Sequence, residues 1–169
     1  EGTGAMSAVL GLEASVIEEI LNGREGVSIA NYNCPGQIVI TGEAAAVAEA
    51  GTALKEAGAR RVLPLKVSGP FHSPMMRPAG EELAKVFAGV SMNPLKIPYV
   101  ANINAEVITD CGRIEGLLVE QVSGSVRWQQ SVETMIREGV DTFVEIGPGK
   151  TLTGFLRKID KNVKAYHIG

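Results

Sequence analysis

Hydrophobic and polar positions along this chain follow two regimes, one up to about residue 68 and one after it. Residues 5–10 form an apolar run of strand length, and Val16, Ile17, Ile20 and Leu21 then recur at helical spacing. Ser15 with Glu18 three residues on has the form of a capping box at that helix's start, and Gly23 suits its end. Residues 27–31 and 37–41 predict two strands joined through Asn33-Cys34-Pro35-Gly36, where proline and glycine supply the backbone limits a turn uses. The alanine-rich segment 43–57 predicts a second helix, ended by Gly58. Leu63, Leu65 and Val67 alternate along a strand over 61–67.

Strand, helix, strand, strand, helix, strand is the β-α-β-β-α-β order of a ferredoxin-like unit. Its two halves share little sequence, so the symmetry belongs to the fold and is not a repeat. From residue 69 the pattern becomes alternating α/β. Ser73 and Pro74 suit the cap and first position of a helix, with Met76, Ala79, Leu83 and Phe87 on one face. Residues 97–103 predict a buried strand entered through Pro98, 113–121 a helix, and Val132, Met135 and Ile136 another. Residues 142–146 predict a strand, and Leu152, Phe155, Leu156 and Ile159 the apolar stripe of the helix after it. Residues 165–168 predict a last strand. Strands alternating with helices imply a parallel sheet. The chain thus divides into 1–68 and 69–169, and the second part reads as an incomplete sheet.

Bulk properties narrow the function classes. With 169 residues and a net charge of −3, the chain lacks the basic face that non-specific nucleic-acid binding requires. It has no run of about 18 apolar residues that would span a membrane. No signal peptide is visible, and a reducing cytoplasm is the expected setting. Cys34 and Cys111 form no framework, and two histidines without Cys/His spacing predict no metal site. The start, Glu-Gly-Thr-Gly running straight into an apolar strand, predicts a partial chain.

The richest segment is Val67-Ser68-Gly69-Pro70-Phe71-His72-Ser73-Pro74-Met75-Met76. It runs from a strand end through a constrained turn into a helix, which puts His72 at the C-terminal end of a strand, where α/β sheets gather ligands. An imidazole there is a candidate general base; the plainer alternative is a surface or helix-capping histidine. Gly147-Pro148-Gly149-Lys150 joins a strand to a helix, so its free N–H groups suit either an anion or a simple tight turn. Asn31, Asn33 and Gln37 cluster around one turn, as polar ligand contacts or as turn chemistry. Gly2-Thr3-Gly4 lacks the preceding strand of a dinucleotide loop. Gly26-Val27-Ser28-Ile29-Ala30 lacks the helix that follows a nucleophile elbow, so Ser28 reads as an ordinary strand residue. A candidate base is present without a nucleophile.

Residues 1–6 (EGTGAM), 31–37 (NYNCPGQ), 67–76 (VSGPFHSPMM), 126–132 (VRWQQSV) and 145–154 (EIGPGKTLTG) together resemble the malonyl-CoA:acyl carrier protein transacylase family, over essentially the whole chain and in order. The resemblance implies a ferredoxin-like subdomain inserted in a large α/β-hydrolase-like acyltransferase subdomain, of which this chain holds the second half. It implies a cytoplasmic enzyme of fatty acid biosynthesis that moves malonyl from malonyl-CoA to the phosphopantetheine thiol of acyl carrier protein. The route is ping-pong through a serine, with malonyl-CoA as substrate and no cofactor. By this resemblance His72 matches the catalytic base and Gln121 the position whose backbone carbonyl orients it. Asn31 and Asn33 match contacts to the CoA or pantetheine portion. Phe71 is similar to the residue associated with malonyl rather than methylmalonyl preference.

The family's Gly-His-Ser-x-Gly elbow, its carboxylate-binding arginine and its N-terminal glutamine motif have no counterpart in these residues. The chain alone is therefore expected to be inactive, requiring the N-terminal segment of the same protein as partner beside acyl carrier protein and malonyl-CoA. The alternatives are a polyketide-pathway acyltransferase with another acyl substrate, and a non-catalytic module that binds carrier protein or CoA.

Overall fold

A computed structural model describes residues 3–169; Glu1 and Gly2, and with them the start of the EGTGAM segment, lie outside the described residues. The first part contains β1 (Gly4–Leu10), α1 (Ala14–Leu21), β2 (Val27–Cys34), β3 (Gln37–Glu43), α2 (Ala44–Glu56) and β4 (Arg61–Pro64). These strands form one sheet in the order β2-β3-β1-β4, every neighbouring pair antiparallel. This is the ferredoxin-like arrangement the element order predicts. Alternation along the strands sends Val9, Ile38 and Ile40 against Ile17, Leu21, Val47 and Leu54 of the two helices. Burying each of these side chains contributes roughly 1.5–3 kcal/mol. On the opposite face Met6, Ala8, Ala30 and Val39 form a smaller cluster. The β2–β3 hairpin closes through Pro35 and Gly36, with Gly36 at φ 72, the residue pair a type II turn uses.

The second part contains α3 (Arg77–Phe87), β5 (Tyr99–Val100), β6 (Val107–Ile108), α4 (Ile114–Ser123), α5 (Trp128–Arg137), β7 (Thr142–Ile146), α6 (Thr151–Ile159) and β8 (Lys164–Ile168). β7 and β8 pair in parallel, whereas β5 and β6 form an antiparallel pair. Phe143, Glu145, Ala165 and His167 alternate with Val144, Ile146, Tyr166 and Ile168, and the second set is exposed, Ile146 at 80% and Ile168 at 61%. A parallel sheet is ordinarily covered on both faces. No helix among the described residues is long and apolar enough to cross a membrane.

Several local expectations are corrected. Glu13, not Ser15, stands at the cap of α1, and no side chain caps it. Glu18 instead accepts a hydrogen bond from Tyr32 Oη at 2.8 Å, drawn across to β2 by that phenol. The strand expected over 61–67 ends at Pro64: the Leu65 N–H still donates to the Met6 carbonyl of β1 at 2.9 Å, but the Val67 N–H turns back onto the Leu65 carbonyl at 3.0 Å. The strand expected over 97–103 shrinks to Tyr99–Val100, with Ile97 77% exposed. Its only strand partner among the described residues is the two-residue β6, which the pattern does not reveal. Ala79 is exposed, and the buried residue at the centre of α3 is Gly80, whose missing side chain lets the helix approach the Val119 carbonyl of α4.

Candidate active site

The corner after β4 is built from two prolines and an unusual histidine. Pro70 holds a restricted φ, and an added Cβ at Gly4 would clash with its ring carbons, so glycine at the head of β1 makes room for this corner. His72 adopts φ 58, a left-handed conformation that costs a residue with a side chain about 1–3 kcal/mol. Ser73 returns to extended backbone at φ −119 and ψ 162, as the residue before Pro74 must. A short turn, Pro74–Met76, then leads into α3. Ser73 precedes that turn as expected, yet its hydroxyl caps nothing: it donates to the Pro70 carbonyl at 2.7 Å.

The half-buried His72 imidazole meets the Gln121 backbone carbonyl through Nδ1 at 3.0 Å. A carbonyl only accepts, so Nδ1 carries the proton and Nε2 keeps its lone pair. The acceptor has a structural origin. Gln121 lies in the last turn of α4, whose final carbonyls have no partner within the helix. The Glu120 carbonyl is taken by the Gly124 N–H at 2.9 Å, and the Gln121 carbonyl goes to His72. The Gln121 amide donates to the Gly124 carbonyl at 2.9 Å and closes the end of the helix. Nε2 makes no hydrogen bond among the described residues. Held in one tautomer by a fixed dipole, this imidazole is a candidate base whose free nitrogen is chemically able to take a proton from a hydroxyl or thiol.

Phe71, at 39% exposure, sits beside His72 in sequence, and Met75 is similarly exposed three residues on. A cleft of about 220 Å³ runs between this corner and the small sheet, lined by Val27, Ser28, Glu43, Ser73, Pro74 and Met75. Ser28 lies in β2 opposite Thr41, as its pattern predicts, and is not bonded to His72.

Asn31 and Asn33 are half-buried on β2, two residues apart, and neither side chain bonds to another described residue. No hydrogen bond connects them to His72. The same strand is nevertheless stitched to the loop that follows Gln121. Val126 donates to the Ala30 carbonyl at 2.7 Å, and Tyr32 donates to the Val126 carbonyl at 2.9 Å. Ser125 Oγ donates to the Ile29 carbonyl at 2.6 Å. The Arg127 guanidinium lies 5.6 Å from the Tyr32 ring centre. Burial, followed by its bond to Glu18, pushes the Tyr32 phenol up to about 12. These contacts were not predicted, although the VRW run they use stands out in the sequence.

Gly147-Pro148-Gly149-Lys150 does introduce a helix N-terminus, but the protein fills it. The Glu145 carboxylate accepts from Thr153 at 2.8 Å and Leu152 at 3.0 Å, and this bonding holds its carboxyl below the usual carboxylate range. His167 Nε2 donates to the Gly147 carbonyl at 2.8 Å and tethers the same loop to β8. No group of three or more metal-ligating side chains occurs among the described residues.

The acyl transferase domain family matches residues 1–168. The chain belongs to that family. This acyl transferase chain is 44% identical to a malonyl CoA-acyl carrier protein transacylase of Bacillus subtilis (strain 168), over 99% of its length and 54% of the relative's. It superposes with TM-score 0.95 on a crystal structure of an acyl carrier protein S-malonyltransferase from Vibrio cholerae, at 42% identity, covering 99% of this chain and 56% of that one. A malonyl-transacylase solved in complex with a type II PKS acyl-carrier protein aligns with TM-score 0.93 and 41% identity, over 99% of this chain and 55% of that one. The chain spans about half the length of the curated relatives it matches. The α/β acyltransferase fold expected from the motifs is therefore the observed one.

Proposed function

We propose that this acyl transferase chain forms the histidine-bearing portion of a malonyl-CoA:acyl carrier protein transacylase of fatty acid biosynthesis, working in the cytoplasm with a serine supplied by residues outside this sequence. The observation that carries the reading is the His72 Nδ1–H bond to the Gln121 carbonyl, which leaves Nε2 basic. The names of the relatives supply the substrate class.

The cycle balances with these groups. Nε2 takes the serine proton as the hydroxyl oxygen attacks the malonyl thioester carbonyl. The C–S bond breaks, and the imidazolium returns its proton to the departing CoA thiol. A phosphopantetheine thiol of acyl carrier protein then gives its proton to Nε2 and attacks the acyl-serine carbonyl; the C–O bond breaks, and the imidazolium returns its proton to the serine oxygen. The Gln121 carbonyl steadies the imidazolium throughout, the task of the third triad member. Asn31 and Asn33, with free amides on β2, would contact the pantetheine or CoA portion. Phe71 would crowd an α-methyl group and so favour malonyl. No step calls for a metal or a cofactor.

The exposed apolar side of β7 and β8 supports the view that further residues of the same protein complete this sheet. In this reading the 169 residues alone do not turn over. The test is intact mass spectrometry of the full-length protein after brief exposure to malonyl-CoA, followed by addition of carrier protein. The expected result is the gain of one malonyl group and its transfer to the carrier. An unmodified protein that still binds carrier protein would leave a non-catalytic module as the better reading.

The likeness to a partner of a type II PKS carrier protein favours a second reading, transfer in a polyketide pathway. Competition between fatty acid and polyketide carrier proteins for the malonyl-enzyme separates the two.

A further inference from the structure

Ser73 is 1% exposed, beside a histidine in a left-handed conformation, and its hydroxyl spans that histidine to reach Pro70 at 2.7 Å. We infer that Ser73 is a positioning residue for acyl transfer, holding the backbone of His72 so that its ring reaches the Gln121 carbonyl. This rests on the acyl-transfer reading above and adds a residue to it.

The argument is local. A non-glycine residue leaves the left-handed region unless its neighbours over-determine it. On one side Pro70 is seated against Gly4 of β1, and on the other Pro74 forces Ser73 to stay extended. These anchors fix the two ends of a four-residue corner, but neither sets the rotation of the peptide units between them. The Ser73 hydroxyl does, because its bond to the Pro70 carbonyl closes a ring that contains His72. Without it the Pro70 carbonyl loses a part-buried donor, and His72 is free to relax toward an ordinary conformation. That relaxation swings Nδ1 away from Gln121 and displaces Nε2. Ser73 touches no reacting atom in this account, so its effect falls on the chemical step and not on substrate binding.

The test compares Ser73→Thr with Ser73→Val in the full-length enzyme. The two side chains have the same shape, and only threonine keeps the hydroxyl. Single-turnover acylation by malonyl-CoA, followed by quenched-flow mass spectrometry, separates the rate from the fraction of molecules that react. S73V is expected to acylate about 10- to 100-fold more slowly, with its final amplitude and KM for malonyl-CoA within about twofold of wild type. S73T is expected to stay within about threefold of the wild-type rate. Ser73→Ala, which introduces no bulk, should follow S73V. Equal rates for S73T and S73V, or a loss confined to amplitude, would overturn the inference. His72→Ala is the control: if it acylates at the wild-type rate, the acyl-transfer reading itself falls. A slow H72A beside a normal S73V sinks only the role of Ser73.

Discussion

The Gln121 carbonyl and His72 Nδ1 stand 3.0 Å apart across 49 residues of chain, and they belong to two different structural units. His72 rides on the corner that leads into α3, and Gln121 lies in the last turn of α4. The helices pack closely where Gly80 faces Val119. The dyad therefore depends on helix packing as well as on local sequence.

Replacing His72 with alanine in the full-length protein removes the proposed base while the corner's prolines remain. The expected loss is about 10³-fold or more in kcat/KM for malonyl transfer. Steady-state assays with malonyl-CoA and carrier protein read it, and wild-type turnover in H72A would refute the role.

Phe71→Ala should change preference more than overall rate. Opening space beside the base is expected to narrow the gap in kcat/KM between malonyl-CoA and methylmalonyl-CoA by about 10-fold, the scale on which one methyl group discriminates. An unchanged ratio would show that the ring lies away from the α-carbon.

Tyr32 makes stability fall in alkali. Its folded value near 12 lies above the unfolded value of 10.0, so burial favours the neutral phenol. The contribution is full below pH 10 and is lost as pH rises toward 12. Tyr32→Phe should remove this alkaline dependence in urea melts of the full-length protein, and it costs about 1 kcal/mol at neutral pH through the lost bond to Glu18. An identical alkaline limb in the variant would assign it to other groups.

Glu145 has the opposite sign. Its folded carboxyl lies below the ordinary range, so its stabilisation is present above the unfolded value of about 4.3 and disappears as pH falls through the lower folded value. Glu145→Gln should lower Tm near neutral pH, with the difference from wild type closing in acid. A constant difference across that range would mean that the carboxylate charge contributes nothing to the α6 N-terminus.

Much of this protein is local and so is legible in one dimension. The alternation in β1 to β3, the alanine-rich α2, the Pro35-Gly36 turn and the stripe of α6 each arise from side-chain period and backbone limits within a few residues. The prolines on either side of His72 are likewise local, but the strand ends at Pro64, so His72 lies on the loop that leads into α3 and not at the strand end its pattern predicts. Where a neighbour decides, the pattern was misleading. Residues 97–103 are apolar enough for a strand, but a strand needs a partner, and only two of them pair within the described residues. Ser15 and Ser73 look like helix caps, yet Glu18 bonds Tyr32 and Ser73 bonds Pro70. The Gly-Pro-Gly-Lys loop looks open to an anion, but Glu145 occupies the helix end.

The sequence by itself determined the ferredoxin-like unit, the corner that carries His72 and the family motifs, because these depend on local propensity and residue identity. The pairing of His72 with Gln121 was implied by the family resemblance and by no local pattern; tertiary structure alone decided which ring nitrogen bonds and the stitching of β2 to Ser125 and Val126. Those depend on which backbone carbonyls the end of α4, β2 and the loop after α4 leave unpaired, and every residue carries the same carbonyl, so no local pattern of side chains encodes them.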